Sequence, residues 1–247
     1  MTTIMTMCTE PQVMATGTAS QGDDLALLGL MQLVSPALPI GAFAWSQGLE
    51  SAFELDWVND EASLHAWLAG VLDDGLSRCE LPVLARQQAA FMAHDGEAVA
   101  YWDAWLAASR ETRELAEEDR RLGAALKRLL ANLELLPDAS ALPGLLPEQL
   151  GYVTLFAWLA QARAVPTRQT LLGFAWAWLE NQLAVACKAL PLGHTAAQRI
   201  IERLRPELVV AVDHALSRDD HELGPLLPGL ALASAQHETQ YSRLFRS

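Results

Sequence analysis

Residues 169–190 read QTLLGFAWAWLENQLAVACKAL. Leu172, Trp176, Leu179, Leu183 and Cys187 recur at spacings of three and four, the period of an α-helix, and more apolar residues fill the positions between them. A helix that is apolar nearly all round has little face to offer water, so this one is expected at the centre of the fold. Glu180, Asn181 and Gln182 interrupt it. Three polar groups would be costly at a bilayer midplane, so no membrane span is expected.

Working outward, the helical period persists. Leu64, Trp67, Leu68, Val71, Leu72, Gly75 and Leu76 form one stripe, with Asp60 where an N-cap belongs. Ile200, Ile201, Leu204, Leu208, Val212, Ala215 and Leu216 form another, read as one element bent at Pro206. Further helices are expected over Asp24–Val34, Ser46–Leu55, Pro82–His94, Gly96–Ala108, Arg110–Leu135, Pro147–Gln161 and Pro225–His237. Strand-like alternation is absent, and Ala and Leu dominate over β-branched residues. The expected fold is all-α, a single-domain helical bundle of about eight to ten helices. Residues 1–22 read as a loose tail, 23–236 as the helical domain and 237–247 as a docking tail, while Pro137–Pro147 reads as an ordinary inter-helix loop.

Composition narrows the function. Apolar residues make up 51% and charged residues 19%, as in a soluble globular chain. The net charge of −13 and a pI near 4.8 argue against nucleic acid as the main partner. Up to residue 109 there are two bases against fourteen acids, and from Arg110 onward fifteen against sixteen. The acidic first part either steers a basic partner or simply keeps the protein soluble. Cys8, Cys79 and Cys187 are widely spaced and form no CxxC, which fits a reducing, cytoplasmic setting. Met1–Gly22 has neither a basic n-region nor an apolar h-region, so it does not read as a signal peptide.

Catalytic and metal motifs are missing. The six histidines show no HxH, HxxxH or HExxH spacing, and there is no GxGxxG, GxxxxGK[ST] or GxSxG. Adjacent acids such as Asp73 and Asp74 or Glu117 to Asp119 read as solvated helix faces. No catalytic residue, resident metal or cofactor is expected.

Three segments stand out. Ser35 to Glu50 is an unusually apolar proline- and glycine-containing loop, with Ser46 placed to cap the next helix. In Lys188 to Thr195 a lysine closes the central helix, Pro191 and Gly193 stop it, and Thr195 is placed to cap the next. The tail His237 to Ser247 sets Tyr241, Leu244 and Phe245 beside Arg243 and Arg246, anchors suited to docking on this protein or on a partner.

Taken together, these segments resemble the UreF family of urease accessory proteins. The likeness rests on Ser46-Gln47-Gly48-Leu49-Glu50, the helix start Arg110-Glu111-Thr112-Arg113-Glu114-Leu115, Lys188 to Gly193 followed by Gln198, and the ending Tyr241 to Ser247. These pieces occur in family order over nearly the whole chain. Departures are local: Gly41-Ala42-Phe43-Ala44-Trp45 replaces a pattern with two glycines, and His194 stands where glutamine is usual.

The resemblance implies an adaptor and no enzyme: a homodimer that binds UreD (UreH in some organisms), recruits the GTPase UreG and docks on apo-urease for nickel insertion. The partner-binding residues it implies are Phe43, Gln47, Glu50, Lys188, Tyr241, Ser242, Arg243, Leu244, Phe245 and Arg246. Tyr241 to Arg246 would order against UreD, Arg243 would reach back toward the loop around Phe43, and Lys188 would face UreG. The alternatives are a direct activator of the GTPase and a nickel carrier.

Overall fold

The computed structural model of the chain describes residues 21–136 and 150–247. Among them are ten α-helices and no strand: α1 Gln21–Leu33, α2 Leu49–Glu54, α3 Glu61–Gly70, α4 Glu80–Met92, α5 Gly96–Ala108, α6 Arg113–Asn132, α7 Tyr152–Ala162, α8 Thr167–Ala189, α9 His194–Ser217 and α10 Pro228–His237. All but the six-residue α2 have ten residues or more. The all-α expectation holds. Residues 1–20 of the expected tail, the stretch Pro137–Pro147 and the start of the helix expected from Pro147 lie outside the described residues.

The central helix is α8. From Thr170 to Leu183 none of its residues is exposed, and it packs against α1, α2, α4 and α9. Two of its polar trio find protein partners in place of water. The Asn181 amide donates to the Trp45 carbonyl at 3.2 Å, and the buried Gln182 amide donates to Gln47 at 3.3 Å. On the other side of the core α4 packs on α7, where the Phe91 and Trp158 rings meet edge-on with centroids 5.4 Å apart.

Local chemistry sets several helix starts. Asp60 forms a capping box with Ser63, accepting its N–H at 2.7 Å. Asp95 accepts from the Ala98 N–H at 2.9 Å, and Thr112 from the Leu115 N–H at 3.3 Å. α7 has no cap of its own. Asp103 on α5 supplies one across space, accepting the Gly151 N–H at 2.9 Å together with the Thr154 hydroxyl.

Some boundaries differ from the expected ones. The stripe from Leu64 to Leu76 is α-helical only to Gly70 and then widens into a π turn, Val71–Gly75. The Ser77 hydroxyl donates to the Asp73 carbonyl, and a Cβ on Gly75 would lie 2.5 Å from Leu227, so the widened turn serves contacts beyond its own helix. Thr195 does not cap α9; Gly193 holds that position, without a side-chain bond, at an exposed helix end. Pro206 does not end α9, because it and Glu202, whose carbonyl it leaves unpaired, both lie on the exposed side.

α6 approaches the start of α7 closely at Gly123, where a Cβ would lie 2.6 Å from the Leu150 carbonyl oxygen. Gly123→Ala is expected to cost about 1–3 kcal/mol through overpacking. A urea midpoint below that of the wild type checks this, and an unchanged midpoint would show that the start of α7 yields.

Candidate functional site

The loop between α1 and α2 is held by backbone geometry. Gly41 has φ 78° and leads into a 3-10 turn over Ala42–Ala44, so positive φ falls on the glycine and not on Ala42. Gln47 (φ 56°) and Gly48 (φ 78°) are then left-handed in succession. A Cβ on Gly48 would lie 3.1 Å from the Ser234 backbone nitrogen, so α10 sits directly on this bend. The bend delays α2 to Leu49, three residues after the expected start.

Gln47 is a left-handed non-glycine residue whose side chain is tied on both sides. Its amide donates to Glu118 at 2.9 Å, and its carbonyl accepts from the Trp178 indole at 2.9 Å and from Gln182. These three bonds compensate for an unfavourable backbone.

The chain end folds back onto the loop. The Arg246 N–H donates to the Ala44 carbonyl at 2.8 Å. The Ser247 carbonyl accepts from the Ser46 N–H at 3.0 Å and from the Ser46 hydroxyl, while the Ser247 hydroxyl accepts from the Gln47 N–H at 3.1 Å. Ser46 thus serves the chain end as well as α2, where its hydroxyl accepts the Glu50 N–H at 3.3 Å. Phe245 is buried, with the Lys188 ammonium 4.7 Å from its ring centroid.

Glu50 ties the return segment together. One carboxylate oxygen accepts the Leu244 N–H at 2.6 Å, and the other accepts the Phe245 N–H at 3.0 Å and faces His237 Nε2 at 3.0 Å. The opposite ring nitrogen of His237 is 2.7 Å from Glu114, whose second oxygen accepts from Arg243 at 2.7 Å. His237 has no exposed surface. Each ring nitrogen of His237 thus faces a carboxylate oxygen, and Glu114 links this row to Arg243.

Beside this network lies a cavity of about 670 Å³, within the range of small-molecule pockets. Phe43, Gln47, Glu118, Tyr152, Trp178 and Lys188 are among its lining residues. Arg110 in its wall binds Glu80 and, at 3.3 Å, Asp119. Burial opposes the Arg110 charge, but Glu80 and Asp119 outweigh it and hold the proton more firmly than usual. Burial also pushes Asp119 and the Tyr152 hydroxyl upward. Among the described residues no group of three or more His, Cys, Asp or Glu is placed to hold a metal ion.

Glu118 is pushed up to about 7 by burial, against the pull of the Gln47 amide and Arg110. An ordinary glutamate has the value 4.5, so the penalty for charging Glu118 in the folded protein grows between about 4.5 and about 7 and is complete above. The raised acid therefore favours the fold at low pH, and that contribution is lost as pH rises through this window. Glu118→Gln is expected to stabilise by about 1–3 kcal/mol near pH 8 and to change little near pH 4.5. Urea curves at both pH values check this, and equal effects at the two would overturn it.

The implied partner-binding residues divide. Gln47, Glu50 and Phe245 point inward, while Phe43 (71% exposed), Lys188, Tyr241, Ser242, Arg243, Leu244 and Arg246 lie at the surface. Arg243 reaches Glu114 and the Gln240 and Glu238 carbonyls and does not extend to the Phe43 loop; the backbone of Arg246 and Ser247 makes that connection instead. His237, Glu114 and Glu118 escaped the reading of single motifs. One signal was present: Glu114 and Glu118 continue the buried α6 stripe of Leu122, Ala125 and Leu126. Of the acids expected on a solvated face, Asp73 and Asp74 are exposed, but Glu118 is buried and Asp119 nearly so.

A family model described as UreF matches residues 58–205, more than half of the chain. The chain is 74% identical over 235 residues to the urease accessory protein UreF of Marinobacter nauticus, covering 95% of this chain and all of that one. This chain belongs to the UreF family. Its likeness to the UreF protein of Pseudoalteromonas translucida is 68% over 92% of this chain and 97% of the relative. For the UreF protein of Hahella chejuensis the identity is 48%, over 90% and 99%. The buried hub and the docked chain end therefore belong to a urease accessory protein. Among its described residues no helix is long and apolar enough to cross a membrane.

Proposed function

We propose that this UreF-family chain is a non-enzymatic, cytoplasmic adaptor of urease maturation that binds UreD (UreH), recruits the GTPase UreG and docks on apo-urease for nickel incorporation. One observation carries the reading from the structural side. The loop around Phe43, the end of α8 at Lys188 and the returning segment 241–247 meet in one place, with Phe43, Tyr241 and Leu244 still exposed. Large apolar side chains displayed on a segment anchored from beneath are suited to a partner and carry a reduced ordering cost on binding.

A second exposed face supports the homodimer. On α1, Leu25, Leu27, Leu28 and Met31 are each more than half exposed, a row of large apolar side chains typical of a surface that another protein covers.

The test is size exclusion with light scattering on the full chain mixed with UreD and UreG. Tyr241→Asp combined with Leu244→Asp changes two surface side chains outside the buried hub, and it is expected to weaken UreD binding roughly tenfold or more. Lys188→Ala is expected to weaken UreG recruitment. If both variants assemble as the wild type does, the adaptor surface is not here; UreG hydrolysing GTP faster with the chain present would favour the GTPase activator instead.

A further inference from the structure

Acids outnumber bases thirty to seventeen in this chain, so a base in the fold has acidic neighbours to choose from. The outward face of α6 departs from this pattern. Arg113, Arg120, Arg121, Lys127 and Arg128 lie on this one helix, and at about 100° per residue they fall within one arc of about 120°. The other side of the helix, from Glu114 through Leu122 to Leu130, is buried.

The partners of these five bases divide them. Arg113 pairs with Glu238 at 3.7 Å and Arg121 with Glu117 one turn back. Arg120 donates only to the Ala116 carbonyl of its own helix, at 3.2 Å. The side chains of Lys127 and Arg128 make no ion pair or hydrogen bond with any described residue. Arg120 and Arg128 are exposed and Lys127 is partly so, with the exposed Ala124 and Ala131 leaving the surface low around them.

We propose that this face of α6 is a docking surface for an acidic protein surface, with Arg120, Lys127 and Arg128 as the recognising charges. They are held on a helix, so a partner does not have to order the backbone that carries them. Among the described residues no acid holds any of the three. In a protein of net charge −13 most of the surface repels an acidic partner, and a local basic strip then directs where it lands. Arg120 and Arg128 lie about 12 Å apart along the axis, a match for carboxylates two turns apart on a partner helix. None of these residues belongs to the surfaces assigned above to UreD, UreG or the second copy.

The experiment uses the full chain and a short fluorescein-labelled polyglutamate peptide, followed by fluorescence anisotropy at low salt. The variant combines Arg120→Glu, Lys127→Glu and Arg128→Glu. The control combines Arg199→Glu, Arg203→Glu and Arg205→Glu on α9 and changes the net charge equally. Wild-type binding is expected to weaken with added salt, to fall roughly tenfold or more in the α6 variant and to stay within about twofold in the control. No binding by the wild type, or equal losses in both variants, overturns the proposal. So does tighter binding of a thymidine oligonucleotide of equal charge that the α6 variant loses, which marks a nucleic-acid surface instead. If circular dichroism shows the α6 variant unfolded, Lys127→Ala with Arg128→Ala replaces it; about threefold weaker binding is then expected, and unchanged binding overturns the proposal.

Discussion

Glu50→Ala is expected to destabilise the protein by about 3–5 kcal/mol and to release the chain beyond α10, because it leaves the buried partners of this carboxylate unsatisfied. The substitution removes the acceptor of the Leu244 and Phe245 N–H groups and one of the two carboxylates at His237. His237 has no exposed surface, so its freed nitrogen cannot turn to water in the folded state. Two readouts separate global from local loss. A urea midpoint gives the stability, and amide exchange of residues 239–247 gives the order of the returning segment. Glu50→Gln keeps one acceptor oxygen but points an amide donor at donors, so its loss should fall between wild type and alanine. If Glu50→Ala costs less than about 1 kcal/mol and the amides stay protected, the hub does not hold the chain end.

Arg110→Met is the second large effect expected, again about 3–5 kcal/mol near neutral pH, since two nearly buried carboxylates lose their shared cation. Glu80 and Asp119 have side-chain exposures of 17% and 12%, and Arg110 itself only 14%. Asp119 is already raised by burial, and losing the guanidinium drives it further up. The charged form of Asp119 is then disfavoured in the folded state, so the loss is largest at and above neutral pH and shrinks as falling pH protonates it. Converting Glu80 and Asp119 to leucine in the same chain is expected to recover much of the stability, because removing a whole buried charge set costs far less than halving it. Thermal unfolding at two pH values tests both statements. A loss of equal size at all pH values would trace the effect to the lost packing of the arginine stem.

How much of this was legible depends on where the cause lies. The α8 helix was plain in residues 169–190, because apolar positions every three or four residues are a local property. The Asp60 cap was equally plain, its partner Ser63 being three residues away. The π turn after Gly70 was not, since a contact from Leu227, far along the chain, shares in shaping it. Gln47 shows the same limit. Nothing in the chain beside it says that Glu118, Trp178 and Gln182 will gather round its amide and compensate for a left-handed backbone.

The sequence by itself determined the helical class, the identity of the central helix and, through motifs in a recognisable order, membership of the UreF family. Helix formation rests on contacts within four residues, which a linear reading can follow. Only the tertiary structure decided that the anchor-rich ending turns back on its own domain, that Glu118 is buried, and that His237 lies between Glu50 and Glu114. Those outcomes depend on how α2, α6 and α10 pack. The Glu50–His237 contact joins groups 187 residues apart. In such a pair, burial and geometry set the strength of the interaction, and neither is a property of the residue type alone.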